Sequence, residues 1–123
     1  MRIFKTRWFA RFARNERIAD DSLRAAIARA ERGLIDADLG GGLIKQRVAR
    51  KGQGRSGGYR MIVAYREKDR AVFLHGFAKS ERENIDKSEL VELRKVGLNW
   101  LNATLPTIGE ALEDEVLEEV DHD

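Results

Sequence analysis

No cysteine occurs among the 123 residues. That excludes a disulfide framework, thiol catalysis and zinc sites built on cysteine, and it fits a reducing compartment, so cytoplasm is the expected location. Long apolar runs are missing too. No window approaches the roughly 18 consecutive apolar residues of a membrane span, and the stretch Met1 to Trp8 lacks the apolar core of a signal peptide, so neither export nor membrane insertion is expected. No Gly-Lys-Ser/Thr opens a helix, which removes the phosphate loop of nucleotide hydrolases. Internal repeats and low-complexity linkers are absent as well.

What is present is enough for one cored domain: 42% of the residues are hydrophobic and 36% are charged. The net charge of +2 conceals an uneven distribution. Residues 1–82 carry 20 Lys/Arg against 9 Asp/Glu, and residues 83–123 carry 3 against 12. The first part suits contact with polyanions, and the second repels or mimics them.

Hydrophobic spacing predicts the elements. Phe4, Trp8 and Phe12 recur at i, i+4 and i+8 with Phe9 beside them, which predicts a helix over about Thr6 to Arg14 with its aromatic stripe in the core. Asp20-Asp21-Ser22 supplies N-cap residues for a second helix carrying Leu23, Ile27 and Ala30 on one face and closed by Gly33. After a glycine turn at Leu39-Gly40-Gly41-Gly42, the segments 43–50, 59–66 and 71–77 have the composition and alternation of strands, expected as an antiparallel meander. Asp86 and Glu89 form a capping box ahead of Leu90, Leu93, Gly97, Trp100 and Leu101, a helix that ends before Pro106 and covers the sheet. The expected class is α+β: a small twisted antiparallel sheet packed against N-terminal and C-terminal helices, in a domain of residues 1–105 followed by an acidic helix or tail at 106–123. In that last segment Leu112, Val116 and Val120 keep helical spacing. Its acids either solubilise a helix end or fold back over the basic face in competition with RNA.

The chemistry concentrates between Leu43 and Arg60, where Lys45, Arg47, Arg50, Lys51, Arg55 and Arg60 occur with no acid among them. In a hairpin alternate residues share a face, so several of these cations crowd together, a cost that an anion relieves. Guanidinium groups bind phosphate bidentately, and glycine amides at Gly52, Gly54, Gly57 and Gly58 add donors at close approach. A solvated, glycine-rich hairpin is the plainer alternative. Of the two histidines, His75 has no neighbouring His, Asp or Glu in sequence, which favours a structural role, and His122 lies in the tail.

Several ordered blocks, Phe4-Lys5-Thr6, Gly33 to Gly42, Lys45 to Arg50, Gly52 to Arg60 and Gly76 to Ile85, resemble a RelE/HigB-type subfamily of toxins from type II toxin-antitoxin systems, over about Phe4 to Leu101. The resemblance implies a twisted antiparallel sheet with helices on one side, ribosome-dependent cleavage of messenger RNA, no metal or other cofactor, and neutralisation by a cognate antitoxin. It also implies catalytic work for Arg60 on the transition-state phosphate, and for Lys79 or Arg82 near the leaving group. Cleavage by the substrate's own 2′-hydroxyl needs a proton acceptor at that oxygen, a donor at the leaving 5′-oxygen and cations for the phosphorane. Lys45 and Lys51, set among other cations, are the candidate bases. Arg47, Arg50 and Arg55 are candidate RNA-backbone contacts, and Tyr59 either stacks a base or joins the core. Arg55 departs from the lysine expected there in the subfamily, and an arginine does not readily act as a base. A non-cleaving, ParE-like inhibitor of DNA gyrase and an inactive RNA- or antitoxin-binding protein are the competing readings.

Overall fold

The computed structural model describes residues 1–50 and 57–120. Along the chain the elements are β1 (Arg2–Thr6), α1 (Arg7–Glu16), α2 (Asp20–Glu31), β2 (Ala37–Gly40), β3 (Leu43–Val48), β4 (Tyr59–Arg66), β5 (Arg70–Ala78), α3 (Lys87–Asn102), α4 (Leu105–Glu113) and β6 (Leu117–Glu119). The strands form one sheet in the order β2-β3-β4-β5-β1-β6. All neighbours are antiparallel except β1 and β5, which run parallel. The α+β class is as expected, and the predicted meander is the centre of this sheet.

Three strands go beyond the expectation. The opening segment, expected only as a lead into the first helix, is β1, inserted between β5 and β6. Ala37–Gly40 pairs with β3 as β2, so the predicted glycine turn narrows to Gly41 and Gly42, both at positive φ. The predicted helix at Leu112, Val116 and Val120 breaks after Glu113: Val116 is exposed, and the chain returns as β6 alongside β1.

Helices cover both faces of the sheet, where the resemblance implied one side. Strand β4 explains why, because all of Tyr59 to Ala64 is buried, and a strand with no wet face needs cover above and below. Tyr59, Met61 and Val63 join Phe9, Leu23 and Ile27 of α1 and α2 in one core, while Ile62 and Ala64 join Leu101, Ile108 and Leu117 in the other. Ile108 is 0% and Leu117 1% exposed. Burying two such side chains contributes roughly 3–6 kcal/mol, more than the surface repulsion among the surrounding acids, so residues 105–117 pack as part of the second core and Val120 joins the first. Glu118 and Glu119 meet Arg14 and Arg2 at 3.4 and 2.9 Å. That is the sheet edge opposite β2 and β3, so these acids lie away from the basic hairpin.

Local chemistry sets the helix ends. Thr6 caps α1 by accepting from the Phe9 amide at 3.2 Å. The N-cap of α2 is Ala19, with no side-chain bond; Asp20 and Asp21 occupy the first turn instead, and Asp20 accepts from Lys5 Nζ at 2.9 Å. The capping box at α3 is present in full: Asp86 accepts from the Glu89 amide at 2.9 Å, and Glu89 accepts from the Asp86 amide at 3.3 Å. Further along α3, a Cβ on Gly97 would stand 2.9 Å from Leu43 Cδ2 and 3.1 Å from Ala64 Cβ, so its glycine lets the helix lie close on the sheet. The register of β4 against β5 slips between Ile62 and Val63, which pair with His75 and Phe73 and leave Leu74 as an extra residue. Such a bulge re-aims the side chains beside it. Here it leaves Leu74 in the second core and His75 beside α3.

Candidate functional site

Register across the central strands builds the site. Lys45 of β3 pairs with Ile62 of β4, which pairs with His75 of β5; one step along, Arg47 pairs with Arg60, which pairs with Phe77. Alternation directs Lys45, Arg47, Arg60 and Phe77 to the α3 side of the sheet, at the end where β5 runs on towards the start of that helix. At the mouth of the β3–β4 pair, a Cβ on Gly58 would lie 2.2 Å from the Val48 carbonyl oxygen, so only glycine permits this approach of the two chains.

Arg60 is the most buried of these cations, at 5% exposure. Burial, and then the neighbouring charge of Arg47, hold its guanidinium below the ordinary arginine value, with Asp36 and Glu83 acting in the opposite direction. Its Nη1 donates to the Tyr59 carbonyl at 3.4 Å. Arg47 is exposed, and its backbone amide donates to Asp36 at 2.6 Å. Lys45 Nζ donates to Asn84 Oδ1 at 3.1 Å. Arg82 lies over the Phe77 ring at 5.3 Å, donates from Nε to the Asn84 carbonyl at 3.0 Å, and grips Glu89 through two bonds of 2.6 and 3.3 Å. The carboxylate of Glu89 raises the Arg82 pKa. On its other side, Glu89 Oε2 is 3.9 Å from His75 Nε2.

The arrangement is a row of cations with a buried guanidinium at its centre and a carboxylate-held arginine at its rim, a surface fitted to a polyanion. The model of one protein family, described as the RelE toxin of the RelE/RelB toxin-antitoxin system, matches residues 1–120. The chain belongs to the RelE toxin family. It is thus a toxin of a toxin-antitoxin system, with an antitoxin as its partner. No curated protein and no solved structure matches it. Among the described residues, no helix of this RelE-family toxin is long and apolar enough to cross a membrane.

Of the residues singled out by sequence, the structure brings Lys45, Arg47, Arg60 and Arg82 to this side of the toxin. Lys79 is exposed just past β5, its amide donating to the Gly58 carbonyl at 3.0 Å. Arg50 is separated from the row: its guanidinium lies 5.6 Å from the Tyr59 ring centre, on the α1 side. Tyr59 itself is 2% exposed, donates its hydroxyl to Glu16 at 3.0 Å and meets Phe12 edge-on. A ring so enclosed has no face for a base, so Tyr59 is a core residue. Lys51 and Arg55 lie outside the described residues.

Sequence reasoning missed Asn84, Glu89 and the surroundings of His75. Glu89 was legible as a capping residue; that it also grips Arg82 depends on the path of residues 79–86, which no periodicity encodes. His75 has no acidic neighbour in sequence, yet the start of α3 supplies one. Its imidazole stacks on Trp8 at 4.4 Å. Burial, the largest influence, holds His75 below the usual histidine value, against Glu89 and together with Arg82. The aromatic stripe expected in the core is divided: Phe4 belongs to β1, Phe9 is buried, and Trp8 is 49% exposed.

Proposed function

We propose that this toxin inhibits translation by cutting messenger RNA on the ribosome, through attack of the RNA 2′-hydroxyl on the adjacent phosphorus. The 2′-oxygen bonds to phosphorus as the bond to the 5′-oxygen breaks, leaving a 2′,3′-cyclic phosphate and a free 5′-hydroxyl. One proton leaves the 2′-oxygen and one reaches the 5′-oxygen. Arg60 is assigned to the phosphorane, where negative charge peaks; Arg47 holds a flanking phosphate; Arg82 or Lys79 stabilises the leaving side. Lys45 and Lys51 are the candidates for taking the 2′ proton. The ribosome and its message are the partners in this step, and the antitoxin is the partner that prevents it.

The observation that supports the reading most is Arg60: a residue 5% exposed, whose charged state is weakened by burial and then by Arg47 across the strand pair. A phosphorane would gain a cationic donor that the fold already holds in place. Primer extension on a message translated in vitro tests this. Wild-type protein should give new stops that require ribosomes, and Arg60→Ala should weaken them about 100-fold or more. No stops, with translation proceeding normally, would remove the cleavage reading and make gyrase inhibition the next assay.

A further inference from the structure

Pairing of β1 with β5 ends at Lys5 opposite Phe73. Beyond that point β1 gives way to α1, and a hollow of 340 Å³ opens between β5 and the first turns of α3, lined by His75, Ser88, Glu89, Glu92 and Leu93. Its volume is at the small end of ligand pockets, about 300–1,000 Å³, suited to one flat ring system rather than to a length of peptide. The His75 ring in its wall is backed by Trp8 at 4.4 Å and 25°, and Trp8 is backed by Phe12 at 5.5 Å and 12°. Of this stack only His75 reaches the hollow, and Trp8 behind it stays half exposed.

The hollow also presents one defined acceptor. A carboxylate offers about four lone-pair positions. On Glu89, Oε1 accepts from Arg82 Nη2 at 2.6 Å and from the Asp86 amide at 3.3 Å, while Oε2 accepts from Arg82 Nη1 at 3.3 Å. The 3.9 Å from Oε2 to His75 Nε2 is beyond hydrogen-bond reach. One position on Oε2 is therefore open among the described residues, and the same carboxylate holds Arg82 at the rim of the cation row.

We propose that this hollow is a nucleobase pocket: a base of the cleaved RNA lies against the His75 ring, which Trp8 backs, and donates an exocyclic amino N–H to Glu89 Oε2. The inference rests on the RNA-cleavage reading and adds base selection to it. Adenine, cytosine and guanine carry an exocyclic amino group and fit; the one donor on uracil's pairing edge, N3–H, is flanked by two carbonyl oxygens, which a carboxylate approaching that donor repels, so uracil fits less well. Stacking holds the base, and Glu89 discriminates. The backbone of the same nucleotide then runs past Arg82 to Arg47 and Arg60, so pocket and cations act on one strand.

Titrating AMP, CMP, GMP and UMP separately into the full-length protein, with the Trp8 indole and His75 imidazole followed by NMR, tests this without ribosomes. His75→Gln serves to assign the imidazole resonance. Saturable shifts at both rings are expected for the three amino-bearing nucleotides, with UMP about tenfold weaker and inorganic phosphate without effect on Trp8. Trp8→Ala, a change at a half-exposed side chain, should weaken the three favoured nucleotides and, in ribosome assays, erase the bias in the base flanking each cut. Equal binding of UMP, identical shifts from phosphate alone, or no shift from any nucleotide overturns the pocket. Selective binding in a protein that makes no ribosome-dependent cut leaves the pocket standing and overturns the cleavage reading. Cutting with no base bias and no selective shift does the reverse.

Discussion

Two ends of the same sheet face carry arginines of similar burial in opposite circumstances. Arg70 is 8% exposed, and its Nη1 donates to the carbonyls of Trp100 and Ala103, each at 2.8 Å; nearby, Arg66 donates to the Leu101 carbonyl at 2.8 Å. Both sit where α3 ends, at the last carbonyls and the negative end of the helix dipole, which their charge satisfies. Arg60, 5% exposed, faces Arg47 across the strands. One pair of guanidiniums holds the molecule together. The other we assign, under the cleavage reading, to the phosphate of the RNA.

Exchanging a charge for a flexible apolar side chain at each end should separate the two roles. Arg60→Met is expected to lower ribosome-dependent cleavage about 100-fold or more, while the urea midpoint moves little, because the apolar stem of the side chain is kept. A fall in both together would show Arg60 to be a structural residue. Arg70→Met should do the opposite. Taking this donor from the Ala103 carbonyl, and from a Trp100 carbonyl that keeps only the Ala103 amide, costs about 1–2 kcal/mol, read from urea unfolding, and the protein that remains folded should cut within a few-fold of wild type.

A smaller effect is expected from His75, at the boundary between the two ends. Its folded pKa lies below the unfolded value because burial disfavours the cation. The unfolded chain therefore binds more protons in the window between the two values. Stability from this residue is complete above about pH 6.5 and falls as the pH drops towards the folded pKa. Urea midpoints measured from pH 7.5 down to 5 should decline more steeply for wild type than for His75→Gln. Equal slopes would mean that the Trp8–His75–Glu89 contact accommodates the charged ring.

The same comparison marks what could be read from the chain alone. Alternation along β3 and β4 sufficed to gather Lys45, Arg47 and Arg60 on one face, and the capping box announced the start of α3 to the residue. Applied strictly, that alternation also sends Arg50 to the other side with Val48, where its guanidinium overlies Tyr59. What stayed illegible was non-local. The roles of Arg66 and Arg70 depend on where α3 stops above the sheet, those of Glu89 and Asn84 on the connection after β5, and the cover on both faces on α4 folding underneath. Strands β1 and β6, of five and three residues, carry too few alternating positions to signal themselves; each exists because the other completes its hydrogen bonds.

That mutual dependence has a temporal side. Phe4 and Thr6 pair with Glu119 and Leu117, while β1 on its other edge pairs with β5. During synthesis, the earliest strand to leave the ribosome must wait for β5 before it has a first neighbour and for residues 117–119 before it has a second. Contacts so distant in sequence form late and slowly. This edge of β1 thus stays without its neighbour until residues 117–119 have been translated and folded back across the whole length of the domain.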